Sequence, residues 1–386
     1  MRYCLTYIVL LFACIPGISQ EAIHNFGNMQ MHGTAEVGFH TDLINNGTFD
    51  QNQGLAGFYK EDGRLTISGA FMPVFYDAEV AVDNGLILET SVSVNNNGNL
   101  IIGNIITART QATVYSNFVN YSFYTGESSI SKVDGYAAIT NKESFVFPVG
   151  DHERLRPLTI ESTAINPLAK CAYFYEDPNN SKSLTAIFNT EKTATEYITV
   201  SDKEFWRVEG DIPSYITLSW DVYSDIPGLA DYISDLKVMG WHKEQDQWVN
   251  LGNTAVEGGR DYGTVTSELI VPNDYEIFTL GGNDDSLETF DTIELDNYFM
   301  TPNGDGQNDI LELDGITQSP NNSLQIFNRY GVLVYSKDNY RNEFDGRSNR
   351  DNAIQKDSGL ESGVYFYIIT FHDLRQKHQG YLYISN

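Results

Sequence analysis

The chain has 386 residues, enough for two or three domains, and 41 % of them are hydrophobic, which excludes wholesale disorder. Its 52 acidic residues against 24 basic ones give a net charge of −28, and a chain this acidic repels nucleic acid and anionic membranes. The 24 Tyr, 21 Phe and 32 Gly favour strands and tight turns over helices.

Residues 1–19 have the features of a secretory signal peptide. Arg2 supplies a short positive segment, an apolar stretch follows, and small residues precede a cleavage site after Ser19. The stretch is too short for a membrane-spanning helix, and no later segment has the roughly 18 apolar residues that one needs. The alternative is a lipoprotein box that would leave Cys14 acylated at the outer membrane, which we rank second because Phe12 is bulky for that box. We therefore predict an exported protein with no transmembrane segment once the signal is removed.

The predicted mature chain keeps a single cysteine, Cys171. A lone thiol excludes an intrachain disulfide framework and a four-cysteine zinc site. Cys171 has no histidine near it in the sequence, so we expect it to be a small residue of the core.

Residues 20–150 consist of short alternations of apolar and polar residues, interrupted by turn dipeptides. No stretch keeps an apolar stripe at helical spacing for long. The dipeptides combine Asn or Asp with Gly, which tolerate the positive φ of tight turns; they are Asn46-Gly47, Asp62-Gly63, Asn84-Gly85 and Asn97-Gly98. The pattern predicts a small β-solenoid or a stack of hairpins.

Residues 151–283 form a second β-rich block. Strand-like runs separated by Gly, Pro and Asp predict a β-sandwich. All four tryptophans lie in this block, and we place Trp206 and Trp220 in its core rather than on an exposed platform for sugars. Residues 284–296 are predicted to be a linker, so that a third domain occupies residues 297–386.

The sequence offers little catalytic chemistry. It has no Gly-x-Ser-x-Gly elbow, no His-Glu-x-x-His and no phosphate-cradling Gly-rich loop with a lysine. Carboxylate pairs such as Asp221 and Asp225 resemble a glycosidase dyad, but such pairs arise by chance among 52 acidic residues. We expect His24, His32 and His40 to be scattered surface residues rather than metal ligands. The protein is therefore predicted not to be an enzyme.

The best chemical motif is the segment 301–309, TPNGDGQND. Oxygen-bearing side chains at Asn303, Asp305, Gln307 and Asp309 alternate with residues that permit tight curvature. An oxygen-lined loop of this kind suits a hard cation, so the sequence suggests Ca²⁺ as a cofactor. The alternative is a turn in which Asx side chains accept hydrogen bonds from their own backbone, and we favour it because the distal bidentate Glu of an EF-hand is missing.

At this motif the sequence resembles a known family. Residues from about 297 to 386 are similar to the gliding-motility-associated C-terminal domain of Bacteroidota, the type B sorting domain of the type IX secretion system. The matching segments are 301–309, 326–331, 334–335, 344–346, 360–367 and 380–384. Tyr330 and Phe344 stand where Trp is usual in this family, and Glu361 stands where Pro is common.

The resemblance implies an Ig-like β-sandwich that directs passage across the outer membrane to the cell surface or the medium. It also implies two partners, the type IX secretion machinery and an outer-membrane protein of the PorP/SprF kind. We therefore expect an all-β exported protein with a structural or adhesive role, which includes a gliding-associated one. The alternative is a carbohydrate-binding or carbohydrate-active cargo whose site lies in residues 20–283 and whose partner is a surface glycan.

Overall fold

The computed structural model describes residues 21–194, 198–230, 232–283, 291–292, 297–313, 316, 321–350, 359–372 and 376–385. The chain divides into two compact units, Met1–Asp285 and Ser286–Asn386. The described residues of both are built from strands, and the first unit also contains short 3₁₀ turns at Pro178–Asn180, Ile226–Gly228, Ile233–Asp235 and Pro272–Asp274. The all-β class predicted from the sequence is confirmed. The predicted signal peptide and Cys14 lie outside the described residues.

None of the described residues belongs to a helix that is long and apolar enough to cross a membrane.

Seventeen strands build residues 22–150. They are β1 (Ala22–Asn25), β2 (Glu36–Phe39), β3 (Asp42–Asn45), β4 (Leu55–Lys60), β5 (Leu65–Ser68), β6 (Val74–Phe75), β7 (Asp77–Val82), β8 (Leu86–Leu88), β9 (Val92–Val94), β10 (Asn97–Ile102), β11 (Ile105–Ile106), β12 (Ser116–Val119), β13 (Phe123–Thr125), β14 (Val133–Asp134), β15 (Ala137–Thr140), β16 (Lys142–Phe147) and β17 (Val149–Gly150).

All of these strands except β16 form a three-sided β-solenoid. The first side has the order β1-β3-β5-β8-β11-β14-β17, the second has the order β2-β4-β7-β10-β13, and the third contains β6-β9-β12-β15. Neighbours on each side pair in parallel, as β4 does with β7 and β12 with β15. Stacked hairpins would pair antiparallel, so the solenoid is the correct member of the two predicted alternatives.

Two features of the sequence stabilise the coils. Aromatic side chains stack inside successive coils, with the Phe39 and Phe58 ring centroids 5.0 Å apart. Buried asparagines bridge the corners, because Asn25 Nδ2 donates to Asn45 Oδ1 at 2.8 Å. At another corner Gly103 has φ +80°, and a Cβ there would lie 1.7 Å from the Val82 carbonyl oxygen, so no larger residue fits.

Ten further strands follow among the described residues of the first unit. They are β18 (Leu158–Asn166), β19 (Ala169–Phe174), β20 (Ile198–Val200), β21 (Phe205–Glu209), β22 (Ser214–Trp220), β23 (Leu236–His242), β24 (Gln247–Asn250), β25 (Ala255–Gly258), β26 (Gly263–Thr266) and β27 (Tyr275–Asn283). One sheet has the order β16-β18-β22-β26-β25, and the other continues the third side of the solenoid through β19, β21, β27, β23 and β24.

The solenoid and the sandwich share one core. The last solenoid strand of the third side, β15, pairs antiparallel with β19. A single ten-stranded sheet therefore contains strands from both sides of residue 150, where the sequence pattern divided the two blocks. Trp206 and Trp220 are buried in this core, as predicted, and Cys171 is fully buried there. Trp241 and Trp248 belong to a second buried cluster with Phe188 and Leu184.

The described residues of the C-terminal unit contain six strands in one sheet. They are β28 (Asp291–Thr292), β29 (Tyr298–Met300), β30 (Asn322–Asn328), β31 (Leu333–Asp338), β32 (Gly363–Phe371) and β33 (Gln376–Ile384). The order is β28-β33-β32-β30-β31, and β29 also pairs with β33.

One face of this sheet carries the core of the C-terminal unit. Leu324, Tyr367 and Leu382 are buried in the same cluster as Tyr340 and Phe344, which lie outside the strands. The Ig-like arrangement of two facing sheets is not shown, because every strand among the described residues of this unit belongs to the single sheet.

Candidate functional site

The structure places the predicted calcium residues in one exposed loop. Asp309 accepts the Gly304 and Gly306 amide protons, with both N···O distances at 2.7 Å. Asp305 Oδ1 accepts from Gln307 N at 2.8 Å, and Asn303 Oδ1 accepts from Asp305 N at 2.9 Å. The side chains of this loop therefore serve its own backbone, which is the geometry of the turn that we favoured.

The electrostatics of the loop follow from these hydrogen bonds. Donation from the Gly304 and Gly306 amides holds the pKa of Asp309 below its ordinary value, because those bonds favour the ionised carboxylate. Among the described residues, no group of three or more His, Cys, Asp or Glu is arranged to hold a metal ion. Calcium binding by Asn303, Asp305, Gln307 and Asp309 remains a prediction.

The outer face of the C-terminal sheet exposes a continuous set of apolar side chains, which we call the aromatic face. Its members are between 41 % and 53 % exposed and are Phe299, Val364, Phe366, Tyr381 and Tyr383. They are neighbours in register across three strands, since Phe299 pairs with Tyr383, Tyr383 with Val364, and Phe366 with Tyr381. The Phe299 and Tyr383 rings are nearly parallel, with centroids 5.9 Å apart.

The last strand lies at the middle of this face and carries two of its five residues, Tyr381 and Tyr383. Strand β33 pairs with β32 over nine residues and with the short strand β29 on its other side. Its side chains alternate, so that Leu382 and Ile384 are buried while Tyr381 and Tyr383 are exposed. The C-terminal strand thus completes the core on one side and the aromatic face on the other.

A groove adjoins the aromatic face at Phe299. It is lined by Tyr298, Phe299 and Met300 of β29 and by the end of the 301–309 loop with residues 310–312, and its volume is about 490 Å³. The loop proposed for calcium and the aromatic face therefore border one concave surface of the C-terminal unit.

Comparison with known proteins assigns this unit. Residues 293–384 match the CHU_C Type IX secretion signal domain. The chain is accordingly a cargo of type IX secretion, exported across the outer membrane to the cell surface or the extracellular space. No curated protein and no solved structure matches the chain.

The match to the secretion signal domain supports the resemblance noted in the sequence as far as a type IX sorting domain. The sequence motifs identified the domain but missed the aromatic face. The sequence did contain a pattern that predicts this face. Strands β32 and β33 carry aromatic or aliphatic side chains at successive positions, and successive side chains of a strand point to opposite faces of the sheet. Some apolar side chains must therefore face outwards.

Two of the most buried charged side chains of the upstream unit form a hydrogen bond with each other inside its core. Arg156 Nη2 donates to Glu204 Oε1 at 2.6 Å, and the Tyr173 hydroxyl donates to Glu204 Oε2 at 2.6 Å, all inside the core. Asp221, one of the two carboxylates considered for a glycosidase dyad, lies 3.7 Å from Arg156 Nη1. Asp225, the other carboxylate of that pair, lines a polar groove.

Proposed function

We propose that the protein is a structural or adhesive cargo that is displayed on the cell surface or released, and that it is not an enzyme. Its secretion signal domain supports delivery to the outside of the cell. The continuous core that joins the solenoid to the sandwich supports a rigid body. The use of Glu204 and Arg156 within that core supports a structural role for the strongest charge cluster.

The observation that carries the export mechanism is the aromatic face. Contiguous exposed apolar patches on soluble proteins often mark sites where another molecule binds. Aromatic side chains also dominate the binding energy of protein interfaces. We therefore assign recognition to this face, with an outer-membrane protein of the PorP/SprF kind as the partner and the gliding-associated type B class of Bacteroidota as the origin of the signal.

A reporter fusion tests this assignment. The Ser286–Asn386 unit is joined to the C-terminus of a neutral reporter carrying a signal peptide and is expressed in a bacterium with type IX secretion. We expect the reporter outside the cell, and in the periplasm when the secretion system is deleted. The double variant Phe366→Ser, Tyr383→Ser should stay in the periplasm, because it removes two large side chains from the centre of the proposed contact.

A matched control separates recognition from folding. Tyr330 is 74 % exposed and lies outside the aromatic face, so Tyr330→Ser should export as the wild type does. The double variant must also melt within a few degrees of the wild type, as expected for exposed positions. Normal export of a folded double variant would refute recognition by the aromatic face.

Turnover assays test the non-enzymatic role. We expect the purified mature chain to leave polysaccharide and peptide libraries intact. Hydrolysis that a single carboxylate substitution abolishes would favour the carbohydrate-active alternative.

A further inference from the structure

A second concave site lies in the upstream unit, far in sequence from the secretion signal domain. It is a groove of about 250 Å³ between residues 199–203 and the 3₁₀ turn Ile226–Gly228. Its lining is mostly polar, and the side chains that matter here are Thr190, Thr199, Asp202, Lys203 and Asp225. A mostly polar lining of this kind suits a ligand that carries many hydrogen-bonding groups.

Asp225 is the most unusual residue of the groove. It has φ 53° and ψ 50°, a left-handed conformation that Asp tolerates better than most residues. Its exposed carboxylate does not cap the 3₁₀ turn that it begins. Gly228 leaves room for it, since a Cβ at that position would lie 2.9 Å from Asp225 Oδ2. The backbone thus presents an acceptor at the groove instead of using it for the turn.

Two partly exposed tyrosines, Tyr175 and Tyr223, contact one arginine side chain. The guanidinium carbon of Arg154 lies 3.7 Å from the Tyr175 ring centroid and 4.7 Å from the Tyr223 ring centroid. Asp151 fixes Arg154 in turn, with Nη2 and Oδ2 2.9 Å apart. The tyrosines remain 40 % and 57 % exposed, so their outer surfaces are available for a ligand.

The chain itself and an electrostatic interaction link the tyrosine pair to the groove. Tyr223 precedes Ser224, which lines the groove, and Asp225 follows. Lys203 of the groove hydrogen-bonds Asp202, and it is also within electrostatic reach of Asp225 and Tyr175. The polar groups of the groove are therefore connected to the tyrosine pair through the 223–225 segment and through Lys203.

We propose that this groove binds a neutral polysaccharide, which gives the adhesive role proposed above a ligand class. The sugar hydroxyls would hydrogen-bond to Asp225, Lys203 and the threonines, while the tyrosine rings contact the apolar face of the sugar ring. An acidic polysaccharide or a nucleic acid is disfavoured, because the chain carries a net charge of −28. The volume of the groove accommodates about one or two sugar rings, so the rest of the polymer extends over the surface.

Calorimetry on the full-length mature chain tests the site. The probes are the neutral hexasaccharides of cellulose, laminarin, mannan, xylan and chitin, and hexalysine represents a basic peptide. We expect at least one hexasaccharide to bind with a Kd of about 1 mM or tighter. Tyr223→Ala and Asp225→Asn should each weaken that binding about tenfold; asparagine also tolerates the left-handed backbone, so the second variant changes chemistry with little change in fold.

The controls decide what a negative result means. Tyr121 is 99 % exposed on the solenoid, so Tyr121→Ala removes an exposed tyrosine elsewhere and should bind as the wild type does. The proposal is overturned if no hexasaccharide binds, if both groove variants bind normally, or if hexalysine alone binds. Export is measured separately with the reporter fusion, so failure of the groove proposal leaves the export proposal unaffected.

Discussion

Replacing Leu382 by Ala tests whether the last strand closes the core of the secretion signal domain. Leu382 is fully buried and lies in register between Tyr298 of β29 and Tyr365 of β32. Truncating a buried leucine costs about 2–5 kcal/mol through lost burial and the cavity that remains. A domain of this size has a total stability of roughly 5–15 kcal/mol, so the loss is a large share of it.

The expected signature is a fall in Tm. A loss of about 3 kcal/mol corresponds to roughly 10–20 °C for a domain of about 100 residues. Calorimetry or circular dichroism of the Ser286–Asn386 unit measures it. Tyr383→Ala is the matched control, because Tyr383 is the next residue on the same strand but is 41 % exposed, and its removal should cost less than about 1 kcal/mol.

Truncation after Gly380 extends the same test to export. It removes Leu382 and Ile384 from the core and leaves β29 without the strand with which it pairs. We expect the truncated unit to be unfolded and the reporter fusion to stay in the periplasm. The reasoning is refuted if Leu382→Ala melts within a few degrees of the wild type, or if the truncated fusion reaches the cell surface at wild-type levels.

Three further predictions concern single side chains. Arg109 donates to the Asp134 carboxylate and to two carbonyl groups across the solenoid–sandwich junction. Arg109→Ala should therefore lower the free energy of unfolding, measured by urea titration, by about 2–4 kcal/mol. Replacing the exposed Arg64 by Ala should leave it unchanged. The pKa of Asp309 is depressed in the folded loop, so the ionised carboxylate stabilises the fold above its ordinary pKa of 3.8. This stabilisation is lost as pH falls through the lower folded value. An NMR titration of the Gly304 amide should show the transition, and Asp309→Asn should lack it. We expect the secretion signal domain to have the same Tm in excess calcium and in chelator, because the loop carboxylates already accept hydrogen bonds from backbone amides. A rise in Tm of several degrees with calcium, abolished by Asp305→Ala, would instead establish the calcium site.

Local patterns in the sequence carried the fold class and the secretion signal. Turn dipeptides and two-residue alternation depend only on neighbouring residues, so they were sufficient to predict an all-β chain. The motif at 301–309 and the segments after it are also local, and they led to the sorting domain. Even the burial of Cys171 and Trp206 followed from composition and alternation alone.

The partners of each strand could not be read from the sequence. A solenoid coil and a hairpin share the same alternation and the same turns, and they differ only in whether the neighbouring strand runs parallel or antiparallel. That choice depends on contacts about 20 residues or more apart, as between β4 and β7. The same reason hides the Arg156–Glu204 pair, whose members are separated by 48 residues.

By itself, the sequence determined that this protein is built from strands and carries a type IX sorting domain at its C-terminus. Tertiary structure alone decided which side chains stay exposed. Strand β33 has large apolar residues at both alternating positions, so hydrophobicity does not tell whether Leu382 or Tyr383 faces the core. The register with β29 and β32 buries Leu382 and leaves Tyr383 outside, and that register creates the aromatic face. Likewise, Tyr175 and Tyr223 are distant in sequence and both contact Arg154 only in the folded chain.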